Sequence, residues 1–352
     1  MAFLSFNEIG ISHISACVPK SKFRNADLSY LIPDSDVLER LVNTIGIKEK
    51  RHASDETTTS DLCYEAAMEI FASGNISKDE IDGVIFLSMS PDYITPPTSV
   101  ILQERLGLSK EVYAIDLNMP CSGFVYALST AFGLIAGGLN NVLVLVGETM
   151  TKFANPHDRV NFPLYGDAGT ASIVTRHRSF GNSTFYFSSD GAGANDVIIP
   201  NGGFRNQLTA ESLVPKKDNE GNIRRAVDIS MNGINTFNHA VFSIPKQIKT
   251  LMNYLGISGD DIDYLIPHQA NKFMLDFIVK KLKFDKSKVP MSLDRYGNTS
   301  CATIPLTIVS ELKGLSGSAS SNLFLTSIGA GWSFGSAYLK ETHFTIYKIV
   351  EL

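Results

Sequence analysis

The sequence lacks several features that would identify other classes of protein. Its four cysteines are widely spaced and form no Cys-x-x-Cys pair, which argues against a disulfide framework and a cysteine-rich zinc site and favours a reducing cytoplasm. No apolar run reaches the ~18–20 residues of a membrane-spanning helix, and the first residues lack the pattern of a signal peptide. The net charge of -5 gives no basic surface for nucleic acid. The seven histidines are scattered, so we expect no metal site.

The composition that remains describes a well-packed globular protein. The chain has 352 residues, of which 44% are hydrophobic and 19% are charged. This length is too great for one simple core, so we expect two domains or one duplicated domain.

The most informative stretch is residues 118–124, Asn-Met-Pro-Cys-Ser-Gly-Phe. Residues 112–117 predict a buried strand before it, and residues 124–135 have the helical spacing of small and apolar side chains after it. Cys121 is therefore expected on a strand-to-helix turn, where free N–H groups and the helix dipole favour a nucleophilic thiolate. The alternative is a small buried hydrophobic residue, as most free cysteines are.

The two halves of the chain repeat the same order of elements. The matched pairs are an acidic turn and strand at 79–85 and 260–266, a strand, turn and helix at 112–135 and 289–312, and strands at 141–148 and 322–329 and at 168–173 and 334–339. A period of roughly 180 residues is too long for a solenoid. We expect two duplicated α/β halves, residues 1–178 and 179–352, packed together.

Local patterns predict the remaining elements of the first half. They are a strand at 9–18, a short helix at 36–44, a helix at 60–73 with Ser60 as its N-cap, and a helix at 98–106 that begins after Pro97 and ends at Gly107.

Four loops that carry polar or glycine residues each follow a predicted strand. They hold Cys121, His268, Asn298 and the Gly329-Ala330-Gly331 turn. The carboxyl ends of strands are where α/β sheets bind ligands, so these loops are expected to meet. Singly, the histidine is more typical of a structural group and the Gly-Asn pair of a turn.

With these motifs in this order, the chain resembles the thiolase-fold condensing enzymes, and within them β-ketoacyl-acyl-carrier-protein synthase III. The resemblance covers nearly the whole chain. It rests on residues 120–128, on residues 162–170 with their Tyr-Gly-Asp-Ala-Gly core, on Pro-His-Gln-Ala-Asn at 267–271, on residues 293–300, and on Gly-Ala-Gly-Trp-Ser-Phe-Gly at 329–335.

The resemblance implies a five-layer α-β-α-β-α fold, a homodimer, and a Cys121, His268 and Asn298 triad. It also implies decarboxylative Claisen condensation of an acyl thioester, on coenzyme A or acyl carrier protein, with a malonyl thioester on acyl carrier protein. Cys121 would carry the acyl group. His268 and Asn298 would donate hydrogen bonds to the enolate oxygen, and the N–H groups of Cys121 and Ala330 would hold the tetrahedral oxyanion. Coenzyme A and phosphopantetheine thioesters are then substrates, with no resident cofactor.

Further positions are expected to contact substrate by the same resemblance. They are Asn271, Thr95, Phe273 and Gly331. Thr95 matches the position that gates the acyl pocket and is small, which predicts room for an acyl chain longer than acetyl.

The chain also departs from the family pattern. Arg40 and Thr44 stand where relatives carry the tryptophan and arginine that hold adenine, while Phe273 and Asn238 replace basic residues. Lys272, Lys280 and Lys281 form either a basic patch for an acidic carrier protein or an ordinary solvated helix face.

Three other functions share the fold. A thiolase needs a second cysteine near the C-terminus, and the turn at 329–335 has none. A non-catalytic subunit usually lacks the nucleophile, which is present here. An acyltransferase that passes an acyl group to a hydroxyl or amine without decarboxylation retains the cysteine and histidine, so it is the main alternative.

Overall fold

The computed structural model describes residues 2–317 and 320–352. Its strands are β1 (Ala2–Phe6), β2 (Ile9–Val18), β3 (Lys22–Arg24), β4 (Glu49–Arg51), β5 (Gly83–Leu87), β6 (Tyr113–Leu117), β7 (Asn141–Thr149), β8 (Asp167–Arg176), β9 (Ser183–Ser189), β10 (Val197–Ile198), β11 (Lys216–Lys217), β12 (Ile223–Arg224), β13 (Ser230–Met231), β14 (Tyr264–Pro267), β15 (Ser321–Gly329), β16 (Ser333–Thr342) and β17 (Thr345–Glu351). Its α-helices are α1 (Ser35–Ile45), α2 (Thr59–Ala72), α3 (Thr98–Leu106), α4 (Gly123–Ala136), α5 (Gly233–Leu255), α6 (Lys272–Leu282), α7 (Leu293–Tyr296) and α8 (Thr303–Glu311).

Two mixed sheets of the same design form the body of the protein. The first has the strand order β17-β2-β8-β7-β5-β6, and the second has the order β1-β9-β16-β15-β14. In the first sheet β5 lies parallel to β7, which pairs antiparallel with β8. In the second sheet β14 lies parallel to β15, which pairs antiparallel with β16. The duplication predicted from the repeated elements is therefore confirmed.

The helices lie in three layers around these sheets. Between the sheets, α4 and α8 bury apolar residues such as Phe124, Phe132 and Ile308 in one core with side chains of both sheets. On the outer face of the first sheet, α2 and α3 form a second core. On the outer face of the second sheet, α5 and α6 form a third. A helix buried on all sides needs apolar residues all round, and α4 has them. The result is the expected five-layer α-β-α-β-α fold.

The terminal strands cross between the two halves. β1 pairs with β9 in the second sheet, and β17 pairs with β2 in the first. The division at residues 178 and 179 stays a prediction, because each sheet takes one strand from the other end of the chain. Neither half can be excised at that point without removing an edge strand from its sheet.

Two predicted elements of the sequence are wrong in detail. Residues 289–294 form no strand; the second sheet ends at β14, and Asp294 lies in the short helix α7. Asn298 therefore follows a helical turn rather than a strand. Pro290 lacks the N–H that sheet pairing requires. The strand before Cys121 is an edge strand, with Tyr113 44% exposed and its other residues half-buried, rather than a buried one.

The N-cap of α2 is Thr58 rather than Ser60. Its hydroxyl accepts from the Asp61 N–H, and the Asp61 carboxylate accepts from the Thr58 N–H. This reciprocal capping box satisfies two backbone donors at once, which Ser60 could not do. The other helix predictions of the first half agree with the structure to within about two residues, and α3 (Thr98–Leu106) matches at both ends. Among the strands, β8 (Asp167–Arg176) extends three residues beyond the predicted 168–173.

Within the described part of the chain, no helix has both the length and the apolar character needed to cross a bilayer.

Candidate active site

Cys121 lies in the short connection between β6 (Tyr113–Leu117) and α4 (Gly123–Ala136). The connection is tight because Gly123 lacks a side chain; a Cβ at that position would lie 2.4 Å from Leu87 Cδ2. The Gly123 N–H donates to the Pro120 carbonyl at 2.7 Å, which closes the turn. The sulfur is thereby held next to the first turn of α4, so the predicted strand-to-helix placement is confirmed.

The protonation state of Cys121 differs from the sequence-based expectation. Desolvation raises the pKa of the Cys121 thiol to about 11, and the Glu148 carboxylate raises it further, against a lowering by the Ser300 hydroxyl. The expected thiolate is therefore wrong for the resting protein at neutral pH. The helix terminus does not outweigh the loss of water around the sulfur.

His268 follows β14 (Tyr264–Pro267), and both its backbone and its ring are held by hydrogen bonds. Its N–H donates to the Thr326 carbonyl at 2.8 Å, and its Nδ1 lies 2.7 Å from Thr303 Oγ1. Burial lowers the pKa of His268 to about 4, so its imidazole is neutral at neutral pH. Since Nδ1 is occupied by Thr303, Nε2 is the ring nitrogen available to a ligand.

Asn298 is positioned by the other half of the chain. It forms a parallel β-bridge with Tyr165, in which its N–H donates to the Leu164 carbonyl at 2.8 Å and the Gly166 N–H donates to its carbonyl at 3.1 Å. Its Oδ1 accepts from the Ser300 N–H at 2.9 Å. With Oδ1 occupied, the side-chain NH2 is the end that remains for a ligand.

The Gly329-Ala330-Gly331 turn lies directly on the backbone that follows Cys121. A Cβ at Gly329 would lie 2.7 Å from Ser122 Oγ and 2.9 Å from Ser122 N. The hydroxyls of Ser122 and Ser333 are 2.6 Å apart, which ties the two segments together. Glycine is required at position 329 because no other residue permits this approach.

Two cavities meet at Cys121. The first has a volume of about 400 Å³, and its lining includes Cys121, His268, Asn298, Asn271, Phe273 and Ala330. The second has a volume of about 620 Å³, and its lining includes Cys121, Ala330, Met89, Phe153, Leu208 and Ile229. Both linings are mainly apolar, and the sulfur is thus reached from two sides.

The structure brings together most of the residues that the sequence predicted. Cys121, His268, Asn298, Asn271 and Phe273 all line the first cavity, and Ala330 lines both. Asn271 also caps α6, since its Oδ1 accepts from the Met274 N–H at 2.9 Å.

Two predicted substrate contacts are not found within a single chain. Thr95 is exposed and lines neither cavity, because the Thr95–Pro96 segment stays at the surface before α3 begins. Gly331 also lies outside both linings, although its neighbours Ala330 and Trp332 line the first cavity.

Three functional contacts were not predicted from the sequence. Ser300 reaches Cys121, with 3.8 Å between Oγ and Sγ; Thr303 holds the His268 ring; and Tyr165 pairs with Asn298. Tyr165 and Ser300 lie inside the motifs that carry the family resemblance, which was the available signal. Among the described residues, no group of three or more histidine, cysteine, aspartate or glutamate side chains could hold a metal ion.

Comparison with known proteins places both halves of this site in one family. Residues 115–193 match the family described as 3-oxoacyl-[acyl-carrier-protein] synthase III, and residues 252–340 match the family of its C-terminal region. The chain is 33% identical over 334 residues to β-ketoacyl-[acyl-carrier-protein] synthase III of Desulfitobacterium hafniense (strain DSM 10664 / DCB-2), an alignment that covers 94% of this chain and 97% of that protein. It is 34% identical over 338 residues to the Clostridium acetobutylicum protein of the same name, covering 96% and 99%.

Solved structures agree with these sequence matches. The crystal structure of a 3-oxoacyl-(acyl-carrier protein) synthase from Burkholderia xenovorans LB400 superposes with a TM-score of 0.92 at 32% identity, covering 100% of this chain and 99% of that one. The priming β-ketosynthase of the R1128 polyketide pathway superposes with a TM-score of 0.80 at 24% identity, covering 96% and 98%, which shows a common fold.

Proposed function

The chain belongs to the 3-oxoacyl-[acyl-carrier-protein] synthase III family, and we propose that Cys121, His268 and Asn298 carry out its reaction. That reaction is the decarboxylative Claisen condensation of an acyl thioester with malonyl-acyl-carrier protein. One observation carries the assignment: a nucleophile from the first half and two polar side chains from the second line a single cavity. The reaction needs one reacting group to touch all three side chains, and a shared cavity permits that.

Cys121 accepts the acyl group in the first half-reaction. Its sulfur attacks the carbonyl carbon of the acyl thioester, a new C–S bond forms, and the donor thiol departs. The thiol proton of Cys121 leaves with that departing group, because the resting sulfur is protonated. The tetrahedral intermediate places negative charge on the carbonyl oxygen, and the N–H groups of Cys121 and Ala330 are the donors that we assign to it.

His268 and Asn298 act in the second half-reaction. When the malonyl thioester loses CO2, the electron pair of the broken C–C bond moves to the thioester as an enolate. Hydrogen bonds from His268 Nε2 and the Asn298 amide stabilise the enolate oxygen. This role requires the proton on Nε2, so during the reaction the Thr303 hydroxyl must turn from the Ser300 carbonyl, to which it donates at 3.0 Å, and donate to Nδ1 across their 2.7 Å contact. The enolate carbon then attacks the acyl group, and the released sulfur takes up one proton.

The second cavity supports an acyl group longer than acetyl. An engineered cavity of about 150 Å³ holds a benzene molecule, which has six carbons, whereas this cavity has a volume of about 620 Å³. Its apolar wall includes Met150, Phe153, Ile199, Val227 and Ile229. We assign the acyl chain to this space and the phosphopantetheine arm to the first cavity.

The mouth of the first cavity has an aromatic rim beside lysines that are engaged within the chain. Phe273 is 53% exposed there and stacks on Phe237 with 5.2 Å between ring centroids. Of the three lysines that form either a basic patch or a solvated helix face, Lys272 is paired with Asp276, and Lys281 donates to the Val241 carbonyl at 3.0 Å. Because an acidic carrier protein and the phosphates of coenzyme A both favour a basic rim, this surface does not discriminate between the two donors.

A homodimer is part of the proposal. Tyr93 and Ile94, before α3, and Val100, within it, are exposed apolar side chains, and α3 is tied to the edge strand β6 by a hydrogen bond from the Thr98 N–H to Asp116. The preceding strand β5 (Gly83–Leu87) is fully buried within the chain and adds nothing to this surface. A resident cofactor is not part of the proposal, and a cytoplasmic location stays a prediction.

The test is to incubate the protein with labelled acyl and malonyl thioesters on acyl carrier protein. We expect an acyl adduct on Cys121 by intact mass, release of labelled CO2, and a 3-oxoacyl product. Cys121→Ala should remove the adduct and the product. An adduct without CO2, followed by transfer of the acyl group to an added alcohol or amine, would instead support the acyltransferase alternative.

A further inference from the structure

Ser300 has an unusual backbone conformation for a buried residue. Among the described residues, four that are not glycine have a positive φ, namely Glu8, Lys283, Ser300 and Glu341. The other three are exposed, whereas Ser300 is fully buried with a φ of 53°. A side chain in the left-handed region is strained, and such strain persists where surrounding contacts determine it.

The contacts that fix the backbone conformation of Ser300 involve all three residues of the proposed triad. The Ser300 N–H donates to Asn298 Oδ1 at 2.9 Å, and the Ser300 carbonyl lies 3.0 Å from Thr303 Oγ1, the atom that holds the His268 ring. The Ser300 hydroxyl lies 3.8 Å from Cys121 Sγ. The backbone of Ser300 therefore supports the two side chains of the second half-reaction, while its side chain faces the sulfur of the first.

We propose that Ser300 is a catalytic residue whose hydroxyl donates a hydrogen bond to the Cys121 sulfur whenever that sulfur carries negative charge. The sulfur becomes negative as it attacks the acyl donor and again when the condensation product leaves. A hydrogen bond to a charged acceptor stabilises it more than one to a neutral acceptor. The Glu148 carboxylate disfavours negative charge on the sulfur, and a hydrogen bond from the Ser300 hydroxyl offsets that effect. This inference rests on the proposed function of Cys121.

Mutation can remove the Ser300 hydroxyl while the backbone contacts of Ser300 remain. Ser300→Ala keeps the N–H that holds Asn298 and the carbonyl beside Thr303, and it removes only the group near the sulfur. Ser300→Gly does the same and also suits a positive φ, so it serves if the alanine variant folds poorly. Ser292→Ala is the matched control, because that buried hydroxyl bonds to Thr307 Oγ1 at 2.8 Å and lies outside both cavities.

The experiment measures alkylation of Cys121 by iodoacetamide as a function of pH, together with acyl transfer and malonyl decarboxylation. We expect both Ser300 variants to shift the alkylation profile to higher pH by about one unit, which is a tenfold loss of rate at fixed pH. Acyl transfer should fall by a similar factor, and decarboxylation by far less. Ser292→Ala should leave the profile in place.

Two results would overturn the proposal. One is an alkylation profile that does not move in either Ser300 variant. The other is an equal loss of acyl transfer and decarboxylation, which would mean that Ser300 only supports Asn298 and His268. If the unaltered protein alkylates at Cys121 but forms no acyl adduct, the proposed function fails while the Ser300 result stands on its own.

Discussion

Asn298 and Tyr165 form a parallel β-bridge that joins the two halves of the chain at the active site. Gly166 and Gly297 flank the bridge, and both permit an approach that a side chain would block. A Cβ at Gly166 would lie 2.1 Å from the Tyr296 carbonyl oxygen, and one at Gly297 would lie 2.8 Å from the Leu164 carbonyl oxygen. The position of Asn298 therefore depends on a contact between backbones.

Gly166→Ala should break this bridge. The added methyl group meets a backbone carbonyl that cannot move aside as a flexible side chain would, so we expect a loss of stability of about 2–4 kcal/mol and a large loss of condensation. Thermal unfolding and condensation assays measure the two effects. Gly133→Ala is the control, since its Cβ would meet no atom within 4 Å and alanine favours a helix. A Gly166→Ala variant with normal stability and activity would show that the bridge does not hold the site.

The raised pKa of Cys121 predicts an unusual pH dependence of alkylation. Only the thiolate reacts, and with a pKa of about 11 its fraction rises with pH throughout the neutral and moderately alkaline range. The rate of iodoacetamide labelling should therefore increase about tenfold per pH unit from pH 7 to 10. Intact-mass measurements, with Cys121→Ala to identify the labelled site, give these rates. A plateau at or below pH 9 would show that the thiol is more acidic than its surroundings imply.

Substitutions in the triad should separate the two half-reactions. Cys121→Ala removes the nucleophile, so acylation should be abolished. His268→Ala and Asn298→Ala each remove one donor to the enolate oxygen, and loss of one such donor typically costs about 10²–10³ in rate. We expect that loss in malonyl decarboxylation, while self-acylation of Cys121 survives. If both substitutions abolish acylation and leave decarboxylation intact, the assigned roles are wrong.

The sequence predicted most of the fold because its two halves repeat the same order of hydrophobic strands and helices. Buried strands such as β7 (Asn141–Thr149) and helices such as α3 (Thr98–Leu106) follow from hydrophobic runs and from glycine and proline at their ends. The strand predicted at 289–294 failed because a short apolar run has no strand-specific signal of its own. Whether such a run pairs depends on the sheet edge beside it.

At the candidate site, the sequence predicted which residues meet but not their environment. The motifs singled out Cys121, His268 and Asn298, and all three line one cavity in the structure. The pKa of Cys121, however, depends on burial by residues from both halves and on the distant Glu148. The role of Ser300 depends on a left-handed φ that the sequence does not show, since serine favours no such conformation.

The acyl cavity makes a final prediction about substrate length. Ile199 lies in the wall of the second cavity and outside the first, so Ile199→Trp should fill part of the space assigned to the acyl chain and leave the space around His268 and Asn298 open. The measurement is transfer from a panel of acyl donors to Cys121, followed by intact mass. Transfer of long chains should fall at least tenfold relative to transfer of acetyl. The reason is that a chain that cannot enter its pocket loses the burial of several CH2 groups, at about 0.8 kcal/mol each. Decarboxylation of the malonyl thioester should change little. The control is Ile234→Trp, which adds the same bulk at a side chain 75% exposed at the mouth of the first cavity. An unaltered preference for chain length in Ile199→Trp would place the acyl group elsewhere.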